Sequence, residues 1–188
     1  MLKGMENMDP PQQSQQCLPF EVIVQLVTEE TDSPFKQAFQ DNLLMSFFWA
    51  MRSCEYLDVD NNWWKEANQK KPSDRRTTPV CCDDYRYWKD HRIVPIDSAE
   101  ILEADSVTIR FPYQKRRVRD DRVTQTATGD PRLCQVKSSD WVVMRMHDLI
   151  RKGLATNNTP FFMFLDRNGK ACPLKSKECR VLLRDFVK

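Results

Sequence analysis

Residues 35–51 constrain the fold more than any other stretch, because a helix over them is apolar on nearly every side. Phe39, Leu43 and Phe47 share one side at helical spacing, while Leu44 and Phe48 occupy the other. A helix of this kind belongs in the middle of a domain. The segment without charge or proline covers only 42–51, and a spanning helix needs ~20 apolar residues. The pattern therefore predicts a buried central helix and no membrane segment.

The residues before this helix predict a shorter amphipathic helix and a break. Apolar residues recur from Phe20 to Val27 at the i, i+3, i+4, i+7 spacing, and Pro19 suits a first-turn position. The run Thr31-Asp32-Ser33-Pro34 then indicates a break followed by an N-terminal cap. Residues 1–18 are rich in Gln, Pro and Met, which is typical of a flexible polar lead-in. We expect a single domain over 19–188.

The middle of the chain carries the strand signals. Ser106–Tyr113 alternates apolar and polar residues, so it predicts a strand. Residues 123–128 are its expected antiparallel partner, joined by a charged turn over 114–122. Pro112 would then lie on an edge or at a bulge. Residues 80–94 favour a strand and a turn, and Asp83-Asp84 is interpreted as surface charge.

The C-terminal third returns to helical spacing. Residues 133–152 predict a helix that stops at Gly153, and 161–165 form a short apolar run closed by a turn at 166–169. Cys179, Leu182 and Phe186 indicate a last helix. This order of elements predicts an α+β fold, a mainly helical single domain with a small antiparallel sheet.

Composition narrows the functional classes. Four Gly argue against glycine-rich nucleotide loops, and two His leave little room for a histidine metal centre. The seven Cys include no C-x-x-C pair, which favours reduced thiols, and the first residues lack the apolar core of a secretory signal. We expect no metal, no cofactor, no membrane partner and a nuclear or cytoplasmic location.

Two basic segments suggest a polyanionic partner. The predicted hairpin holds six basic residues against Asp120 and Asp121, a net charge of 6 − 2 = +4; they are Arg110, Lys115, Arg116, Arg117, Arg119 and Arg122. Residues 60–79 add 5 − 3 = +2, including Arg75 and Arg76. Clustered cations of this kind can follow a phosphate backbone. The alternative is a solvated turn in which Arg and Asp neutralise each other.

Arg52 follows the apolar helix, with Glu55 one helical turn later. Either the two form an ordinary i, i+3 ion pair, or Glu55 holds the planar guanidinium of Arg52 towards a phosphate.

These positions together resemble the catalytic domain of the tyrosine recombinases, the phage-integrase type, in the form found in eukaryotic mobile elements. The segment 47–57 is similar to the family's apolar helix with Arg-x-x-Glu, and the hairpin with Lys115, the turn at 129–131 and the following helix come in the family's order. The resemblance covers 19–188 and corresponds to the first part of that domain, so the chain is expected to be C-terminally truncated.

The resemblance implies DNA strand breaking and rejoining without a metal, in which a Tyr attacks the phosphate. Arg52 would match the first catalytic Arg, Glu55 its supporting acid, and Lys115 the general acid of the hairpin. The family's later His-x-x-Arg and nucleophilic Tyr have no match, since no Tyr follows Tyr113 and neither His begins that motif. We therefore expect DNA recombination and integration to be absent from this chain alone.

The remaining expectations concern partners. The resemblance and the basic hairpin predict weak, backbone-directed binding to double-stranded DNA. Apolar surface left uncovered on the central helix predicts self-association. The alternatives are a non-catalytic protein-interaction module and a fragment of a mispredicted gene.

Overall fold

The computed structural model describes residues 19–51, 53–58, 79–113, 119–130 and 133–187, without the side chains of Ser53, Cys54, Tyr113, Arg119 and Val187. Its first helices are α1 (Phe20–Thr28), α2 (Pro34–Phe48) and the single turn α3 (Ser53–Tyr56). Pro34 occupies the first turn of α2, and Ser33 Oγ accepts a hydrogen bond from the Lys36 amide. The predicted break and cap before the central helix are confirmed.

The end of α2 differs from the expectation that this helix runs directly into the Arg52 segment. The helix stops at Phe48, and Ala50 adopts a left-handed φ of 48° before α3 begins. The Met51 amide donates to the Ser46 carbonyl, which closes the turn. A non-glycine residue at positive φ is strained, so the surrounding packing must hold this break in place.

Four antiparallel strands form one sheet in the order β2-β1-β3-β4. They are β1 (Tyr85–Lys89), β2 (Arg92–Val94), β3 (Ser106–Tyr113) and β4 (Arg119–Thr126). Asp90 and His91 join β1 to β2 with φ of 48° and 63°, and two successive positive φ values match the twist of a two-residue hairpin.

The sheet confirms the predicted hairpin and corrects its loop. Strand β3 has the predicted bounds, but β4 already starts at Arg119, so Arg119 and Arg122 are strand residues and only 114–118 remain between the two strands. Strand β1 pairs with β3 only as far as Ile109, so Pro112 lies where β3 has no β1 neighbour. This agrees with the edge position expected for a residue that lacks an amide donor.

The remaining elements are α4 (Gln135–Arg151), the two-stranded pair β5 (Met163–Leu165) and β6 (Ala171–Pro173), and α5 (Ser176–Val187). Helix α4 ends as predicted, since Gly153 has a φ of 69° and its amide donates to the Ile150 carbonyl. The turn at 166–169 is also confirmed, whereas β6 was not predicted.

Two apolar clusters make up the core, and α2 contributes to both. One lies between the sheet and α4 and includes Met45 and Trp49; the other joins α2 to β5 and α5 and includes Phe39 and Leu43. Each fully buried Leu or Phe stabilises the fold by about 1.5–3 kcal/mol. The protein is therefore one α+β domain built around a central helix, as predicted. Within the described ranges, no helix combines the length and the apolar character needed to cross a bilayer.

Candidate nucleic-acid interface

Strands β3 and β4 carry the part of the predicted basic hairpin that the structure describes. Arg110 and Arg122 are directly opposite each other in the register. Both face away from the core, because the alternate residues Ile109 and Phe111 of β3 are buried. Like charges on facing positions repel. This pair therefore favours a negative partner on the exposed side of the sheet.

Asp84 fixes the direction of Arg110. Its Oδ1 accepts from Nε of Arg110 at 2.9 Å and from Nη2 at 2.8 Å. Its Oδ2 accepts from the amide of Cys81 at 3.0 Å, and the Cys81 Sγ lies 3.1 Å away. Asp84 is 2% exposed whereas the Arg110 side chain is 40% exposed. A buried acid thus holds a guanidinium whose remaining donors reach the solvent.

The hydrogen bond to Asp84 raises the pKa of Arg110 further above its ordinary value, so this side chain stays charged at every physiological pH. Asp120 lies 3.7 Å from Nη1 on the exposed side. The alternative in which Arg and Asp neutralise each other therefore holds for part of the hairpin, because Asp120 is within ion-pair distance of Arg110. The expectation that Asp84 is a surface charge is wrong, because the short 3-10 turn Cys82–Asp84 directs it inward.

The other predicted site residues divide into two groups. Glu55 is 3% exposed in α3, and its carbonyl accepts from the Val80 amide. Arg119 begins β4. Six further residues lie outside the described ranges: Arg52, Arg75, Arg76, Lys115, Arg116 and Arg117. The arrangement of Arg52, Glu55 and Lys115 implied by the resemblance therefore stays a prediction.

The two tyrosines of β1 are poorly placed for chemistry on DNA. Tyr85 is 1% exposed and Tyr87 is 0% exposed, and burial raises the pKa of each well above the ordinary value. A nucleophile must reach the phosphate and lose its proton easily. Neither condition is met at these two positions.

The described residues show no alternative chemical centre. Ser138, Ser139 and Asp140 are fully buried on α4, and both hydroxyls donate to the Gln135 carbonyl rather than to a histidine. Over the same described part of the chain, no three His, Cys, Asp or Glu side chains gather as a metal site would require. The five described cysteines are free.

Several residues of this surface escaped prediction from the sequence. Arg86 and Trp88 alternate with the buried Tyr85 and Tyr87 along β1, so they share the exposed side with Arg110. The alternation of residues over 85–89, as in a strand, could have indicated which side chains are exposed. No local sequence pattern indicates the Asp84–Arg110 pair, because 26 residues separate the two side chains.

Comparison of the chain with protein-family models, with curated proteins and with solved structures found no match.

Proposed function

We propose that this chain binds double-stranded DNA through the β3–β4 hairpin and performs no strand exchange by itself. The observation that supports the proposal is the pairing of Arg110 with Arg122 on an exposed strand face, with Asp84 holding Arg110 from behind. A preorganised guanidinium loses little side-chain entropy when it binds a phosphate. Such contacts position a protein on DNA without reading its sequence.

The loop residues Lys115, Arg116 and Arg117 complete the proposed contact, since they connect the two strands. Together with the strand residues they keep the hairpin at +4, against +2 for the whole chain. The binding is electrostatic and falls steeply with salt. The family resemblance supports the same surface. The cysteine pattern favours a nuclear or cytoplasmic location, which would bring the chain to DNA.

The test is fluorescence anisotropy with a labelled duplex of about two helical turns. Affinity is measured between about 50 and about 200 mM salt. The triple variant Lys115→Ala, Arg116→Ala, Arg117→Ala should reduce the slope of log K against log salt by about 2.7, because each lost phosphate contact contributes about 0.9.

A matched control removes the same charge elsewhere. Lys177, Arg180 and Arg184 are exposed on α5, and their replacement by Ala leaves the hairpin intact. The control should retain the wild-type slope. Equal losses in both triple variants would show that only net charge matters, and a wild type with no duplex affinity at low salt would refute the proposal.

The absence of strand exchange has a separate test. A nicked duplex that traps covalent protein–DNA complexes should yield none with this chain, because Tyr85 and Tyr87 are buried and no Tyr follows Tyr113. A covalent complex that survives denaturation would overturn this part of the proposal.

Self-association is the second proposed property. Phe20 and Phe47 are 44% and 42% exposed, and their rings stack with centroids 5.3 Å apart. Exposed aromatic pairs favour burial against another surface. Sedimentation velocity should show a concentration-dependent dimer that the double variant Phe20→Ser, Phe47→Ser shifts to monomer. A wild type that remains monomeric at high concentration would exclude this property.

A further inference from the structure

The outer face of the four-stranded sheet is the side turned away from α4. Its residues alternate with the buried Tyr85, Tyr87, Val107 and Ile109. Strand register places nine side chains on this face: Ile93, Arg86, Trp88, Ser106, Thr108, Arg110, Arg122, Thr124 and Thr126.

One end of the outer face is aromatic and rich in hydroxyls. Trp88 lies between Ile93 of β2 and Ser106 of β3, and Ser106 pairs in turn with Thr126. The indole Nε1 donates to Thr108 Oγ1 at 3.0 Å, which anchors the half-buried ring over the sheet. This end lines an open cavity of about 590 Å³. Its volume falls within the range of small-molecule sites.

The opposite end of the outer face is cationic. Arg110 faces Arg122 across β3 and β4, and Arg86 lies opposite Thr108 on β1. Asp84 orients Arg110, and Arg86 Nη1 donates to the Tyr85 carbonyl at 2.7 Å. Both guanidinium groups are therefore positioned before any ligand arrives.

The two ends are separated by a fixed distance. From Ser106, beside Trp88, to Arg110 are four residues of β3, which at about 3.4 Å per residue gives roughly 14 Å. Acids lie at both ends: Asp105 Oδ2 accepts from the Asp90 amide at 2.7 Å at the aromatic end, and Asp120 lies 3.7 Å from Arg110 Nη1 at the cationic end. With Asp84 behind Arg110, the three arginines of the cationic end still outnumber its two acids. A ligand that fits must therefore be planar and neutral at one end and anionic at the other.

From this arrangement we infer that the outer face binds an extended single strand of nucleic acid, with a base stacked on Trp88 and phosphates against Arg110, Arg122 and Arg86. Serine and threonine hydroxyls between the two ends can donate to or accept from base edges. A stacking aromatic beside a cationic track is the usual form of a single-strand site. A protein partner fits less well, because hydroxyl-bearing and charged side chains outnumber Trp88 and Ile93 on this face.

The inference rests on the proposed nucleic-acid function, since Arg110 and Arg122 serve both surfaces, but it makes a different prediction for Trp88. The affinity for labelled oligo(dT) of about 12 nucleotides is measured by fluorescence anisotropy at low salt. Trp88→Ala should weaken oligo(dT) binding about 5- to 150-fold and leave duplex binding unchanged, while Trp88→Phe should restore most of the affinity.

The matched aromatic control is Trp141→Ala, because Trp141 is 39% exposed on α4, away from the outer face. It should leave oligo(dT) affinity at the wild-type value. If Trp88→Ala fails to fold, Thr126→Glu tests the same face through an exposed position, with Asn158→Glu as the equal charge change in a loop. Thr126→Glu should lose oligo(dT) affinity, and Asn158→Glu should not.

Three outcomes would overturn the inference: no affinity of the wild type for oligo(dT), equal effects of Trp88→Ala and Trp141→Ala, or equal effects of the two glutamate variants. Oligo(dT) binding that depends on Trp88 without any duplex binding would support this site and refute the proposed hairpin function. Duplex binding that depends on Lys115 without oligo(dT) binding would do the reverse.

Discussion

Asp84 and Asp140 show at the residue scale how partners decide what a buried carboxylate does. Asp84 accepts four contacts from Arg110 and Cys81, which satisfy its charge. Asp140 is 0% exposed, and neither of its oxygens has a hydrogen-bond partner among the described residues. Lys137 Nζ lies 3.5 Å from it at ion-pair distance. Burial therefore raises the pKa of Asp140 to about 7, although Lys137 opposes the shift.

This raised pKa predicts a pH-dependent stability. Between the ordinary value of 3.8 and about 7, the folded protein binds a proton at Asp140 that the unfolded chain does not. The contribution of Asp140 to the free energy of unfolding is therefore highest at acid pH, falls through this window, and is lowest above pH 7. Three pKa units correspond to about 4 kcal/mol.

Asp140→Asn should remove this pH dependence and raise the free energy of unfolding at pH 8, as measured by urea denaturation from pH 4 to 8. The control is Asp148→Asn on the same helix, since Asp148 is 41% exposed and pairs with Lys152 at 2.7 Å. Asp148→Asn should keep the wild-type slope. An Asp140→Asn variant with an unchanged pH profile would show that Asp140 does not cause this pH dependence of stability.

Arg145 joins α2 to α4 at the scale of elements. Its Nη1 lies 2.6 Å from Asp41 Oδ2, and its Nη2 donates to Asn42 Oδ1. Asn42 Nδ2 also donates to the carbonyls of Tyr56 and Phe161, so one polar cluster connects four segments of chain. Burial raises the pKa of Asp41 even though Arg145 opposes the shift. The cost of burying both charges makes each dependent on the other.

Arg145→Met should lower the free energy of unfolding by about 3–5 kcal/mol, because it leaves Asp41 buried without its cation. The double variant Asp41→Leu, Arg145→Met should recover most of that loss, since no unpaired charge remains. Urea denaturation of the two single variants and the double variant gives the coupling energy. Arg151→Met, at a 74% exposed position, is the control; strictly additive single effects would contradict the pairing.

At the scale of the whole molecule, the proposed DNA-binding surface and the proposed self-association surface lie on different layers. The sheet presents Arg110 and Arg122 outward, whereas the exposed aromatics Phe20 and Phe47 belong to the helices α1 and α2. Helix α2 lies between the layers and contributes to both apolar clusters. DNA binding and self-association should therefore be separable.

Phe20→Ser with Phe47→Ser should leave the duplex affinity of each monomer unchanged, because neither residue lies on the sheet. Anisotropy at protein concentrations below the dimer dissociation constant measures this affinity without avidity. A large loss of monomer affinity would show that the helical layer takes part in DNA binding.

Much of the fold was predictable because its signals are local. The apolar surround of α2 predicted a central helix, Ser33-Pro34 predicted its start, and alternation over 106–113 predicted β3 with the correct bounds. The start of β4 was missed because Arg119, Asp120, Asp121 and Arg122 read as a turn. Their charges suit an edge strand, where pairing on one side is enough.

The sequence alone determined the helices, the hairpin and the excess of basic charge on it, since periodicity and charge are properties of neighbouring residues. Only the tertiary structure decided which of those charges are held and where they point. Asp84 meets Arg110, and Arg145 meets Asp41, across 26 and 104 residues of chain. Contacts at such separations depend on how strands pair and helices pack, and no local pattern encodes them.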